Sequence, residues 1–208
     1  MRNQTSVEER WNTLTHGIAA LLGIIGTVLL LLKTNPDQPY RVSSSVIYGA
    51  SIIILFTAST LYHYSRDEKQ KHYFRIVDHI SIYLLIAGTY TPVLLLGLLD
   101  SRGWLLFALV WGIAGLGMVL KLFFTGKFEV FSTLLYLVMG WLIVFDFTNV
   151  SEFLGTNGVF WLFAGGLFYT VGIVFYAFQK MPFHHVIWHV FVMGGAFSHF
   201  IMIYSYVV

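Results

Sequence analysis

Residues 17–32 read GIAALLGIIGTVLLLL, and Lys33 closes the run. A helix rises about 1.5 Å per residue, so runs of about 20 apolar residues match the hydrocarbon thickness of a bilayer. No small-residue cleavage site follows, so the stretch predicts a retained first membrane span and not a signal peptide. The other apolar runs of the 208-residue chain point the same way. The chain is 57% hydrophobic and only 11% charged, where soluble domains carry about a quarter charged residues. A soluble helical core does not need runs of this length. The predicted fold is an all-α integral membrane protein, a bundle of seven transmembrane helices in one domain, 1–208.

The seven windows run roughly 14–32, 44–64, 76–98, 104–124, 130–149, 157–178 and 184–207, after a short polar segment 1–13. Between them lie TNPDQPYR, SRDEKQKHYFR, LDSRG, TGKFE, SEFLGTN and QKMP, which carry turn chemistry or charge. An odd number of spans puts the two termini on opposite sides. With the N-terminus in the cytoplasm, that side holds Arg2, Arg10, Arg66, Lys69, Lys71, Arg75, Lys121, Lys127 and Lys180. The other side holds Lys33, Arg41 and Arg102. The bias predicts N-terminus cytoplasmic and C-terminus outside. Gly112, Gly115, Gly117, Gly165, Gly166, Gly194 and Gly195 are expected to let helices approach closely. Pro92 is expected to kink the third span.

There is no cysteine. That excludes disulfides and thiolate metal sites, so a metal here needs histidine and carboxylate ligands. The net charge of +2 comes without a basic tract, so nucleic acid is not an expected partner.

Ionisable residues inside a membrane are costly and usually face the bundle interior. His16 begins the first span, His63 ends the second, Asp78 and His79 open the third, and His184, His185 and His189 open the seventh. The topology brings all of them to the cytoplasmic end. The orientation rests on Lys and Arg alone, so this convergence is an independent observation. His185 and His189 are four apart and share one helical face. Two such imidazoles can hold one Zn²⁺, and Zn²⁺ suits three neutral nitrogens with an oxygen. His63 would supply the third nitrogen. Asp78 would supply a carboxylate, directly or through a water. Ser59, one turn before His63, is a candidate hydrogen-bonding neighbour. A buried cluster without metal and a His–Asp proton relay are the other readings of the same residues.

Three motifs carry a resemblance. They are ERWNTLTH (Glu9, Asn12, His16), STLYH followed by Asp78, and HVIWH (His185, His189). Together they resemble the motifs of the progestin and adipoQ receptor family, whose bacterial branch is called hemolysin III; GTYTP in the third span also looks like that branch. The resemblance covers nearly the whole chain. It implies an integral protein of the bacterial cytoplasmic membrane. It also implies a zinc ion held near the cytoplasmic side by His63, His185 and His189, with Asp78 beside a zinc-bound water and Ser59 in the same neighbourhood. Glu9, Asn12 and His16 would cap the site from the first span or order that helix end. The family is grouped with alkaline ceramidases, which are zinc amide hydrolases, and its bacterial members are associated with haemolysis and membrane homeostasis.

The remaining histidines are expected outside the ligand set. His184 has Trp188 at i+4, which cannot ligate, and is expected at the interface. His72 is expected in solvent, and His79 as a packing or interfacial residue. His199 lies about 15 Å along the helix from His189 and should hydrogen-bond a neighbouring span. The expected activity is zinc-dependent hydrolysis of a lipid-like amide or ester, with Asp78 taking and returning the proton of water. Membrane lipids are the expected partners. A membrane sensor with structural zinc and a pore-forming or transport protein are the alternatives.

Overall fold

The structure, a computed structural model, describes residues 4–34 and 37–208. Arg2 lies outside the described residues. Among them the chain is all-helical, with no strand. The helices are α1 (Ser6–Lys33), α2 (Arg41–Tyr64), α3 (Glu68–Gly97), α4 (Gly103–Phe124), α5 (Glu129–Trp141), α6 (Phe147–Ala177) and α7 (His184–Tyr206). A 3₁₀ segment, Leu142–Asp146, joins α5 to α6. A helix satisfies every backbone donor and acceptor within itself, which hydrocarbon requires of a spanning segment.

Several helices begin earlier than the hydropathy windows, and side-chain caps account for two of them, α1 and α3. Thr5 and Glu8 form a capping box: Thr5 Oγ1 accepts from Glu8 N at 3.2 Å, and Glu8 Oε2 accepts from Thr5 N at 2.8 Å. Most of the polar segment 1–13 is therefore the first turns of α1. Asp67 caps α3 by accepting from Gln70 N at 2.9 Å, so the charged loop before window 76–98 is already helical. Hydropathy marks where apolar residues start, whereas the cap marks where the helix starts.

Among the described residues, six helical stretches are long and apolar enough to cross a membrane. Windows 130–149 and 157–178 both fall in one of them, Glu129–Ala177. That stretch is not straight. Gly155 takes φ 63°, ψ 177°, a conformation that breaks the helical ladder and that glycine adopts without a Cβ clash. Trp141 Nε1 donates to Thr170 Oγ1 at 3.2 Å, although a straight helix would hold them about 43 Å apart. Trp141 also packs against Phe163. The chain folds back here, and α5 lies alongside α6.

Neighbouring helices pack in sequence from α1 to α4, α6 packs on α7, and α7 returns to α1. On α1 the buried face reads Glu8, Asn12, His16, Ala19, Gly23, Gly26 and Leu30. The 3–4 spacing is that of one helical stripe, so the polar residues of the first motif continue the apolar seam. Ile18, Leu21, Leu22 and Ile25 face outward. The glycine expectation holds in part. A Cβ at Gly117 would meet the Tyr83 ring at 2.3 Å, at Gly165 the His199 ring at 2.2 Å, and at Gly195 the Tyr169 ring at 2.6 Å. Gly112 and Gly115 are corrections: nothing lies within 4 Å of a Cβ there, because both face away from neighbouring helices.

Side-chain bonds sort the helix ends into two groups. One end joins the start of α1, the end of α2, the starts of α3, α5 and α7, and the end of α4, through Glu9, His63, Lys71, Lys121, Glu129 and Phe183. The opposite end joins Lys33 to the Tyr204 carbonyl, Thr34 to Ser45, and Ser101 to Asp146.

Candidate metal centre

His63 sits in the last turn of α2, and His185 and His189 in the first two turns of α7. One ligand nitrogen from each lies within 4.8 Å of the others. The start of α7 is fixed from outside. Phe183, in the left-handed region at φ 57°, donates its N–H to Glu8 Oε1 at 2.8 Å. The capping carboxylate of α1 thus also holds the first turn of the histidine helix.

Each imidazole is oriented differently. His63 Nδ1 donates to Glu9 Oε2 at 2.6 Å, and the other Glu9 oxygen accepts from Lys71 Nζ. That leaves the lone pair on His63 Nε2, which is buried with no hydrogen-bond partner. A carboxylate that fixes the tautomer and frees the other nitrogen is the usual support of a metal-binding histidine. His189 stacks on His16, with ring centroids 3.6 Å apart and planes 9° apart, and its Nδ1 is 3.5 Å from Thr15 Oγ1. His185 lies 5.1 Å from His63 and 4.7 Å from His189, centroid to centroid. Three neutral nitrogens, one of them orphaned in the interior, fit a zinc ion with an open oxygen position.

Asp78 is outside this trio. It sits three turns into α3, and Ser59 sits near the end of α2. Both line a cavity of about 170 Å³ that also touches His16, His185 and His189. The cavity runs inward past Ile82, Leu85 and Ile86 to Tyr90, Trp141 and His199. From Asp78 to Tyr90 along α3 is about 18 Å. The walls are mostly apolar; Arg75, Asp78 and His79 line the end near His185 and His189, and Tyr90 and His199 line the far end.

The other histidines separate clearly. His199 does as expected, with Nε2 donating to the Leu162 carbonyl at 3.2 Å. His72 is exposed. His184 is buried: one nitrogen meets the Phe175 carbonyl at 3.2 Å and the other faces Gln4 at 3.4 Å. His79 donates from Nδ1 to the Arg75 carbonyl at 2.7 Å and turns Nε2 toward Glu129 at 4.0 Å.

That last contact belongs to a cluster absent from the sequence expectations. Lys121, only 1% exposed, donates to Glu129 Oε2 at 3.0 Å, with Arg75 3.7 Å from the other oxygen. Lys121 precedes TGKFE and Glu129 ends it, and both read as ordinary loop charges. A pair buried between the end of α4 and the start of α5 has no signature in spacing. The link from Glu9 to His63 was missed likewise, although the first motif did mark Glu9.

A protein-family model described as "Haemolysin-III related" matches residues 4–200. The chain is similar to a hemolysin-3 of Bacillus cereus, 42% identical over 201 residues, which cover 96% of this chain and 92% of that one. It is similar to the same degree, 42% over 205 residues, to a hemolysin-3 homolog of Bacillus subtilis strain 168, covering 98% and 96%. It is also 30% identical over 208 residues to the human monocyte to macrophage differentiation factor, covering 97% of this chain and 85% of that protein.

Proposed function

Because the chain belongs to the haemolysin-III related family, and is an integral protein of the bacterial cytoplasmic membrane in contact with its lipids, we propose that it is a zinc-dependent hydrolase of a lipid-like amide or ester with a role in membrane homeostasis. The observation that carries this reading is the trio His63, His185 and His189, of which His185 and His189 line a mostly apolar cavity together with Asp78.

The three nitrogens hold the metal, which when bound supplies Lewis acidity to a carbonyl or a water. Glu9 keeps His63 in the tautomer that ligates. Asp78, lining the cavity with Ser59, takes the proton of the attacking water and returns it to the leaving amine or alcohol. The apolar walls from Ile82 to Tyr90 take the acyl chain and keep bulk water from the reacting carbonyl. A site at the charged end of the bundle lets a lipid present its linkage without leaving the membrane.

Purified protein is expected to hold zinc at about one ion per chain. It should also release p-nitrophenol or p-nitroaniline from p-nitrophenyl palmitate or palmitoyl p-nitroanilide. ICP-MS and a colorimetric assay, with and without chelator, check this. Zinc well below stoichiometry, or turnover indifferent to chelation, would overturn it.

The proposed topology has seven crossings, with α5 and the long arm of α6 each crossing once, the N-terminus cytoplasmic and the C-terminus outside. The fold-back at Gly155 supports it, as does the excess of Lys and Arg at the histidine end. An alkaline phosphatase fused after Val208 should be active and a green fluorescent protein fused there dark; the reverse pattern contradicts the orientation.

A further inference from the structure

His16 is 3% exposed, and among the described residues neither ring nitrogen makes a hydrogen bond of normal geometry; a backbone group of His189 is its one looser polar neighbour. A neutral imidazole always carries one N–H donor and one lone pair. Leaving such groups buried and unmade is costly. Its contacts are apolar in character: the His189 ring stacked at 3.6 Å on one face, and the Phe56 ring at 5.0 Å and 80°. The side chain lines the same cavity as Ser59, Asp78, His185 and His189. Its nitrogens therefore wait on something that enters the cavity.

The metal is not that partner. A ring nitrogen's lone pair lies in the ring plane. Two planes 3.6 Å apart and 9° from parallel do not converge on one ion. His16 is accordingly outside the trio of nitrogens that lie within 4.8 Å of one another. Its ring is held one stacking layer from the His189 ring, on the wall of the same cavity.

We propose that His16 is a substrate-binding residue that donates its ring N–H to the carbonyl oxygen of the amide or ester, and holds that oxygen as it becomes an oxyanion. This rests on the hydrolase reading above. Water adds its oxygen to the carbonyl carbon, and its proton goes to Asp78. The π pair moves onto the carbonyl oxygen, where the N–H of His16 meets it. When the pair returns, the C–N or C–O bond breaks, and Asp78 gives the proton to the leaving group. His16 neither gains nor loses a proton. A donor already aimed where charge develops is worth more in a water-poor site than in bulk water.

The test compares wild type, His16→Phe and His16→Gln, the last of which keeps an N–H donor. Zinc is measured by ICP-MS, turnover with p-nitrophenyl palmitate and palmitoyl p-nitroanilide. Binding is measured with two inhibitors: the monomethyl ester of hexadecylphosphonate, tetrahedral and anionic, and palmitamide, planar and neutral. His16→Phe is expected to keep its zinc and lose about 10²–10³ in kcat with little change in KM, the loss seen for one oxyanion donor. His16→Gln should recover part of it. Affinity for the phosphonate should fall alongside kcat, while palmitamide binding changes much less. Wild-type kcat and phosphonate affinity in His16→Phe would overturn the assignment, and so would zinc loss in both variants, which would make His16 a packing support of His189. An inactive wild type would take the hydrolase reading down with it, whereas an active wild type matched by His16→Phe removes this assignment alone.

Discussion

His185→Ala should empty the centre. Structural zinc in zinc-finger peptides is held by about 10–16 kcal/mol over four ligands; at a similar share per ligand, losing one costs about 3 kcal/mol, roughly a hundredfold or more in affinity. After dialysis against a mild chelator, wild type should keep its zinc and His185→Ala should not. His184→Ala tests the register. Its ring bonds to the Phe175 carbonyl and faces Gln4, so zinc should stay. The same titration places Glu9. Its carboxylate touches His63 Nδ1 and not the nitrogen left for metal, so Glu9→Gln should weaken zinc by about 10–100-fold without abolishing it. Full zinc in His185→Ala, with loss in His184→Ala, would shift the ligand pair by one residue and break the proposed trio.

Asp78→Asn is expected to leave the zinc in place and remove about 10²–10⁴ of the turnover, the usual contribution of a positioned acid–base group. The two effects separate because Asp78 is outside the histidine trio but lines the cavity with Ser59. Asparagine keeps the shape, but it cannot carry a proton. Equal turnover in Asp78→Asn, with zinc bound and the cellular phenotype intact, would make the metal structural and the protein a membrane sensor. Loss of zinc in the variant would instead make Asp78 a ligand.

The membrane character of the chain was written in GIAALLGIIGTVLLLL and its counterparts, because crossing hydrocarbon is a matter of length and transfer energy summed along one segment. The i, i+4 relation of His185 and His189 is equally local, since helical geometry fixes it. Lys and Arg counts and the positions of Ser59, His63 and Asp78 in their runs placed the candidate site at one end of the bundle.

What tertiary structure decided concerns contacts between distant residues. Glu9 finds His63 across 54 positions, His16 stacks on His189, and Lys121 buries itself on Glu129. The fold-back at Gly155, the idle Gly112 and Gly115, and the burial of His184 belong to the same group. Each depends on how far a helix is rotated and slid against its neighbour. That rotation is set by the packing of whole helical faces, so no single stretch of the sequence contains it. The sequence by itself determined that this chain crosses a membrane and which residues could share a metal. Only the packing of α1 against α2 and α7 decided which nitrogens are held ready for it, and which imidazole is left facing the cavity.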